Sequence, residues 1–481
     1  MLSSEDKYFD LIGFDPRGVN NTTPGFSCFK DRISRQAWQI RKQAIGSSIH
    51  DSEATFQTVW AENRALGMSC SGLNSTVPAL LVNGNEHLGQ YISTASVVRD
   101  LVEIVERHGE WRERTVKRLI SKDLDPETTK GLRKRTAWQK GQEKLLYWGF
   151  SYGTFLGASF ASMQPHLVGR MVLDGVVDPD SYIRWDYSRD LQNIDQVTKN
   201  LTISCHEAGP EKCALYRDGG PATIHTYLEE ILQKIKDNPL ATATERGPLA
   251  ITHSNVVSVM FSGYYAPFSS FERLAHVAYD LSSGNTTSFA AHVEHLTCSS
   301  CSNKFEIEPY SALLGVMCAD GEDQQGVTQE VFRYQLSELK RQSPLFGDVM
   351  AIWELACIGY SIRPKWRFSG PFGGETAHPI LFASQSSDPV TPLEYANRAS
   401  KLFPGSVVLE SRGFGHCSMA LPSLCTAKHI RRYFQTGNLP ERGEKCEIDV
   451  GPFGLHKKGL VDAGDQELLE ALIDVARTWP R

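Results

Sequence analysis

Five residues, Gly149-Phe150-Ser151-Tyr152-Gly153, constrain this chain more than any other stretch. They follow the apolar run Leu145-Leu146-Tyr147-Trp148 and open into Thr154-Phe155-Leu156-Gly157-Ala158-Ser159-Phe160-Ala161. That order reads as strand, sharp turn and helix, with Ser151 at the bend. A G-x-S-x-G bend forces its serine into a strained backbone conformation, which only neighbours without side chains leave room for. Gly149 and Gly153 are expected to supply that room. The hydroxyl of Ser151 then stands above the sheet at a helix N-terminus, where developing negative charge is favoured.

Two later segments supply partners for such a serine. Pro379-Ile380-Leu381-Phe382-Ala383 is a short apolar strand candidate running into the loop Ser384-Gln385-Ser386-Ser387-Asp388-Pro389-Val390-Thr391-Pro392. Asp388 is thereby placed just past a buried strand, where functional groups of open α/β sheets gather. Ser406–Leu409 is the next strand candidate, and Gly413-Phe414-Gly415-His416 follows it. Ser, Asp, His is the chain order of the α/β-hydrolases. The chemistry assigns Ser151 as nucleophile, His416 as the base that takes and returns its proton, and Asp388 as the group fixing the imidazole. The N–H of Tyr152 is the expected oxyanion donor.

With these residues the chain resembles the tripeptidyl-aminopeptidase-like branch of the proline-iminopeptidase-type serine hydrolases, in a form common among filamentous fungi. The matching stretches are Tyr8–Gly18 with its Asp15-Pro16-Arg17-Gly18 turn, the Ser151 elbow and Val168–Pro179. Further on they run from Pro379 through Asp388–Pro392 to Gly415-His416, and then to Tyr433–Pro440 and Cys446. The resemblance implies an α/β-hydrolase fold and an enzyme that removes residues from peptide N-termini. Asn20 stands where the family has Gly, and Asn is the residue that best replaces Gly in a left-handed turn. The family's Gly-Gly-Pro-Gly loop, donor of a second oxyanion N–H, has no counterpart among the 14 residues before Asp15. Gly219-Gly220-Pro221 lies after the elbow and does not replace it. Tyr8–Phe14 reads as a buried strand, and the strand that would separate it from Leu145–Trp148 is missing. The expectation is therefore an N-terminally incomplete hydrolase sheet, open beside Leu145–Trp148.

Composition excludes other classes of function. The chain has 481 residues, 41% of them hydrophobic, and a net charge of -6. It can bury a sizeable core and has no electrostatic case for nucleic acid. No run approaches a transmembrane helix, and Met1–Lys7 is too polar for a signal peptide. The 11 cysteines and the N-x-S/T sites at Asn20, Asn21, Asn74, Asn200 and Asn285 nonetheless suit a glycosylated protein of the secretory pathway, with a cytoplasmic one as the alternative. Cys205 with Cys213, Cys298 with Cys301 and Cys425 with Cys446 are close enough for small loop-closing disulfides. Cys28 with Cys70 and Cys318 with Cys357 are further partners, leaving Cys417 odd. A metal or redox reading of Cys298-Ser299-Ser300-Cys301 lacks a second pair, so no metal and no cofactor are expected.

Asp388 follows Ser151 by 237 positions, but His416 follows Asp388 by only 28. The excess implies an insertion after the Met171–Leu173 strand. Residues 1–179 and 376–446 then form the hydrolase core, 180–375 a mostly helical lid and 447–481 a tail packed on the core. Apolar spacing predicts lid helices over Tyr227–Lys236, Asn255–Gly263, Phe271–Leu281 and Gln329–Gln342, and a tail helix over Asp465–Thr478. Tyr264, Tyr265, Phe268 and Phe271 read as lid core. Trp111–Lys140, dense in Lys and Arg, reads as a solvated face. For an exopeptidase, Glu306, Glu308, Asp320 and Glu322 are candidate anchors for the substrate ammonium. The alternatives are a hydrolase of esters, lactones or amides of specialised metabolites, and a non-catalytic hydrolase-like protein. The expected partner is a peptide or small molecule, with no nucleic acid and no membrane.

Overall fold

A computed structural model describes residues 9–45, 49, 52–72, 81–82, 86–120, 124–244, 247–297, 309–355, 357–457 and 462–479. Its centre is a sheet of five strands: β1 (Leu145–Phe150), β2 (Val168–Asp174), β3 (Leu381–Ser387), β4 (Val407–Phe414) and β5 (Lys445–Glu447). All four pairings are parallel, and the strands lie side by side in chain order. Parallel sheets are covered on both faces, so their strands are near-continuously apolar. β2 obeys this, with six of its seven residues buried.

Parallel neighbours need crossovers. Helix Tyr152–Met163 joins β1 to β2, Leu393–Leu402 joins β3 to β4, and Leu424–Thr436 joins β4 to β5. The first of these lies very close to the sheet: a Cβ on Gly157 would come within 2.4 Å of Leu173. Every residue from Thr154 to Ala161 in it is buried. The expected α/β-hydrolase core is present, and its strands run beyond the apolar stretches that announce them, β3 to Ser387 and β4 to Phe414.

Among the described residues between β2 and β3 the regular structure is helical apart from one hairpin, Leu240–Thr244 paired with Gly247–Ile251. The four expected helices lie within Pro221–Asp237, His253–Tyr264, Pro267–Ser282 and Gln329–Gln342. Gly219 and Gly220, at φ 100° and 97°, turn the chain into the first of them. Tyr264 and Phe271 are fully buried. The tail helix spans Ala463–Thr478 and buries Leu469 and Leu472 beside Leu424 and Val450.

Four disulfides, Cys28–Cys70, Cys205–Cys213, Cys318–Cys357 and Cys425–Cys446, have formed, and Cys417 is free and buried. Cys298, Cys301 and Asn74 lie outside the described residues. The basic stretch forms the end of helix Thr94–Leu119 and helix Pro126–Thr136, which buries nothing. Arg112 there pairs with Glu143 at 2.9 Å. Among the described residues no helix is long and apolar enough to cross a membrane.

The expected strand at the front is a correction. Tyr8 lies outside the described residues, and 9–14 are irregular, with Leu11 95% and Ile12 58% exposed. Phe9 instead leans edge-on against Phe434, ring centroids 6.3 Å apart. Alternating apolar residues make a strand only where a free sheet edge receives them. β1 is the edge of the sheet, and among the described residues none pairs with its outer side, so Leu146 is 47% exposed. The turn that follows does form. Asn20 takes φ 45°, and Asp15 accepts from the side chains of Asn20 and Asn21. Arg17 fixes the turn to helix Thr94–Leu119 through both oxygens of Asp100, at 2.5 and 2.6 Å.

Candidate active site

Ser151, Asp388 and His416 all sit just past carboxyl ends of parallel strands, β1, β3 and β4 respectively. Ser151 adopts φ 53°, ψ −122°, a conformation costly for any residue with a side chain. Gly149 makes it possible, since a Cβ there would stand 2.5 Å from the Gly153 carbonyl oxygen. Gly153 is under less constraint, its own Cβ reaching only 3.3 Å from the Tyr147 hydroxyl. That hydroxyl donates to the Gly153 carbonyl at 2.7 Å and ties the bend to β1. As the first residue of its helix, Tyr152 presents an N–H with no intrahelical acceptor.

His416 stands between two left-handed residues, Gly415 at φ 101° and Cys417 at φ 67°. Its Nδ1 lies 3.0 and 3.1 Å from the two oxygens of Asp388, and its Nε2 is buried without a hydrogen-bond partner. Asp388 is wholly buried and also accepts from the N–H groups of Val390, Thr391 and Cys417. Burial pushes its carboxyl upward, but the charge and hydrogen bond of His416 and the backbone donors outweigh this and hold it below its ordinary value. The pair therefore presents an oriented imidazole backed by a carboxylate.

The elbow and the histidine loop meet at Asp174, the last residue of β2. Its carbonyl accepts the Ser151 N–H at 3.0 Å and the Cys417 thiol at 3.4 Å. Its carboxylate accepts from Ser418 N–H and Oγ, and burial pushes it up to about 6. The insertion closes one side: the Tyr265 carbonyl takes the His416 N–H at 2.9 Å, and its ring lies edge-on to the imidazole at 4.9 Å. Tyr265 thus touches the site as well as the lid core.

The arrangement is that of an acyl-transfer enzyme, and comparison with known proteins gives the same class. Residues 343–446 match the family described as TAP-like protein. The chain is 21% identical over 446 residues to the serine protease Hip1 of Mycobacterium tuberculosis, covering 91% of this chain and 74% of that one. It is 22% identical over 452 residues to the tripeptidyl aminopeptidase of Streptomyces lividans, 93% and 72% covered. The chain is a serine hydrolase. The expectation of a non-catalytic protein falls with that. A third similar protein is the putative hydrolase YuaR of Escherichia coli, 23% identical over 439 residues, with 88% of this chain and 71% of that one covered.

The acidic anchors read from the sequence fare unevenly in this hydrolase. Glu306 and Glu308 lie outside the described residues, and Glu322 is exposed. Asp320 is 2% exposed and engaged: it accepts from the Thr94 N–H at 2.7 Å and from Thr94 Oγ1 at 2.6 Å. Burial pushes its carboxyl up to about 7. Thr94 Oγ1 in turn lies 2.5 Å from the Tyr152 hydroxyl, linking Asp320 to the elbow. Sequence reasoning missed Glu354, 4% exposed, whose two carboxylate oxygens have no hydrogen-bond partner. Burial first, then the charges of Asp190 and Asp186, push it well up. Asp190 is likewise raised by burial, with the charges of Asp186, Asp178 and Asp388 adding to it, while the Tyr395 hydroxyl donates to it at 2.7 Å. A glutamate at the end of an apolar helix, Gly347–Glu354, was the one signal available in the sequence.

Proposed function

We propose that this serine hydrolase is an exopeptidase working through Ser151, His416 and Asp388, and releasing residues from free peptide N-termini. The observation that carries the reading is the oriented imidazole, bound at Nδ1 by Asp388 and unpartnered at Nε2, on a loop that shares the Asp174 carbonyl with the elbow. Ser151 Oγ attacks the carbonyl carbon of the scissile amide while His416 Nε2 takes its proton. The Tyr152 N–H faces the oxygen that becomes negative, and Asp388 stabilises the imidazolium. Collapse expels the peptide amine, which leaves with the proton from His416, and water then frees the acyl group by the same route.

The exopeptidase reading draws on the tripeptidyl aminopeptidase among the similar proteins and on Glu354. A buried carboxylate without a partner is costly unless a cation completes it, and the ammonium of a free N-terminus is such a cation, with Asp190 beside it. In this reading residues 180–375 act as the lid that shapes the pocket and shields it from bulk solvent, on a core of 1–179 and 376–446 with the tail 447–481. The four disulfides and the N-x-S/T sites favour a glycosylated, secreted protein.

A fluorophosphonate probe followed by peptide mapping tests the nucleophile: labelling is expected at Ser151 and lost in Ser151→Ala, and label elsewhere rejects the triad. A panel of peptides with free or acetylated N-termini, beside simple esters, tests the substrate. Glu354→Gln should raise KM for free-amine peptides and leave acetylated ones unchanged. Equal turnover of both peptide classes by the unsubstituted enzyme would favour the ester and amide reading instead.

A further inference from the structure

Two different parts of the chain hold the backbone of His416. Its N–H goes to the Tyr265 carbonyl, and its carbonyl accepts the indole N–H of Trp479 at 3.0 Å. The same indole lies edge-on to Phe150, with centroids 5.0 Å apart and planes at 75°. Phe150 immediately precedes Ser151. One side chain therefore touches both the neighbour of the nucleophile and the backbone of the base.

Trp479 is delivered to that point by an anchored helix. Leu469, Leu472 and Ala476 of Ala463–Thr478 are buried, and Asp465 pairs with Lys428 at 2.5 Å. Lys428 belongs to helix Leu424–Thr436, which follows directly from the histidine loop. The loop itself has left-handed backbone on both sides of His416, free at Gly415 and strained at Cys417. Strained backbone persists only where its surroundings over-determine it, and a donor on the His416 carbonyl is such a determinant.

We propose that Trp479 is a positioning residue that locks the His416 loop to the Ser151 elbow and so sets the alignment of Nε2 with Oγ. The proposal rests on the triad reading. The indole N–H fixes the carbonyl of the base, and its ring edge fixes the residue before the nucleophile. Alignment contributes to the chemical step rather than to substrate binding, so its loss is read in kcat. Misplacement of reacting groups by about 1 Å costs on the order of a hundredfold, and loss of a single hydrogen bond costs less.

The test compares Trp479→Phe, Trp479→Ala and the shape-preserving replacement of Trp479 by benzothienylalanine, which removes the N–H alone. Each is assayed for kcat and KM on one substrate, for fluorophosphonate labelling rate and for thermal midpoint, with Ser151→Ala and His416→Ala beside them. Benzothienylalanine and Phe should each lower kcat about tenfold, with KM within about twofold and the midpoint unchanged; Ala should lower kcat about a hundredfold. Unchanged kcat with benzothienylalanine overturns the proposal, as does a loss in the Phe variant that tracks its midpoint. If Ser151→Ala or His416→Ala retained turnover, the triad reading would fail instead, and the two failures are distinct.

Discussion

Asp320→Asn isolates the energetic role of a carboxyl that the fold keeps out of water. The folded group titrates at about 7, against 3.8 for the ordinary side chain, because burial disfavours its charged form more than the Thr94 and Tyr182 hydrogen bonds favour it. Between those two values the folded chain holds a proton that the unfolded chain has given up. Stability from this group is therefore complete below pH 3.8, falls as pH rises through 7 and is level above it. Each pH unit in that window costs about 1.4 kcal/mol, so the whole shift is worth about 4 kcal/mol and the part between pH 5 and pH 7 about 2 kcal/mol. Asparagine cannot ionise, and it keeps an oxygen for the Thr94 N–H while giving up the bond to Thr94 Oγ1, at a cost of about 1 kcal/mol. The variant should be slightly more stable than the parent at pH 5, where the parent has already lost about 1.6 kcal/mol, and about 3 kcal/mol more stable at pH 8. Urea unfolding of both proteins at the two pH values measures this directly. Asp174 and the acidic pair at Glu354 contribute equally to both proteins and cancel in the comparison. If parent and variant lose the same stability between pH 5 and pH 8, Asp320 is ionised in the fold and the reasoning is refuted.

Gly149→Ala should lower stability by about 1–3 kcal/mol, because its Cβ would stand 2.5 Å from a backbone oxygen that cannot yield; an unchanged thermal midpoint would show that the elbow is looser than its geometry. Asp388→Asn should reduce kcat by about four orders of magnitude through loss of the imidazole's orientation, with secondary structure retained by circular dichroism; turnover within tenfold of the parent would remove Asp388 from the triad. Thiol titration of the denatured, unreduced protein should find about one thiol, and finding ten or eleven would mean a reduced protein.

The fold class, the short-range disulfides Cys205–Cys213 and Cys425–Cys446, and the elbow that carries the proposed nucleophile were legible because each is written in local sequence. G-x-S-x-G at a strand-to-helix junction permits few backbone solutions, and the Asp and His loops follow apolar runs too short to be anything but buried strands. Helix Gln329–Gln342 was legible to the residue, since a 3.6-residue apolar period needs no distant partner. What failed depended on distant partners. Phe9–Phe14 carries a strand-like pattern but does not pair with the open outer edge of β1. Glu354 announces itself only as a glutamate closing an apolar helix and Trp479 not at all, because their meaning comes from distant elements that the fold sets beside them. Asp320 was selected for its charge, and the fold buries it as an acceptor at the start of helix Thr94–Leu119, with its carboxyl pushed up to about 7.

The free thiol of Cys417 gives the His416 loop a clock. Its Sγ is sealed against Gly175, where even a Cβ would come within 2.4 Å, and burial pushes the thiol far from reactivity. A thiol reagent can reach it only when the loop carrying His416 swings away from the end of β2, because the same residue bonds to Asp174 and Asp388. At saturating reagent the alkylation rate is then the opening rate of the active site, and at low reagent it reports the fraction of molecules open. The enzyme thus carries, one residue from its proposed base, a native reporter of how often that loop comes apart.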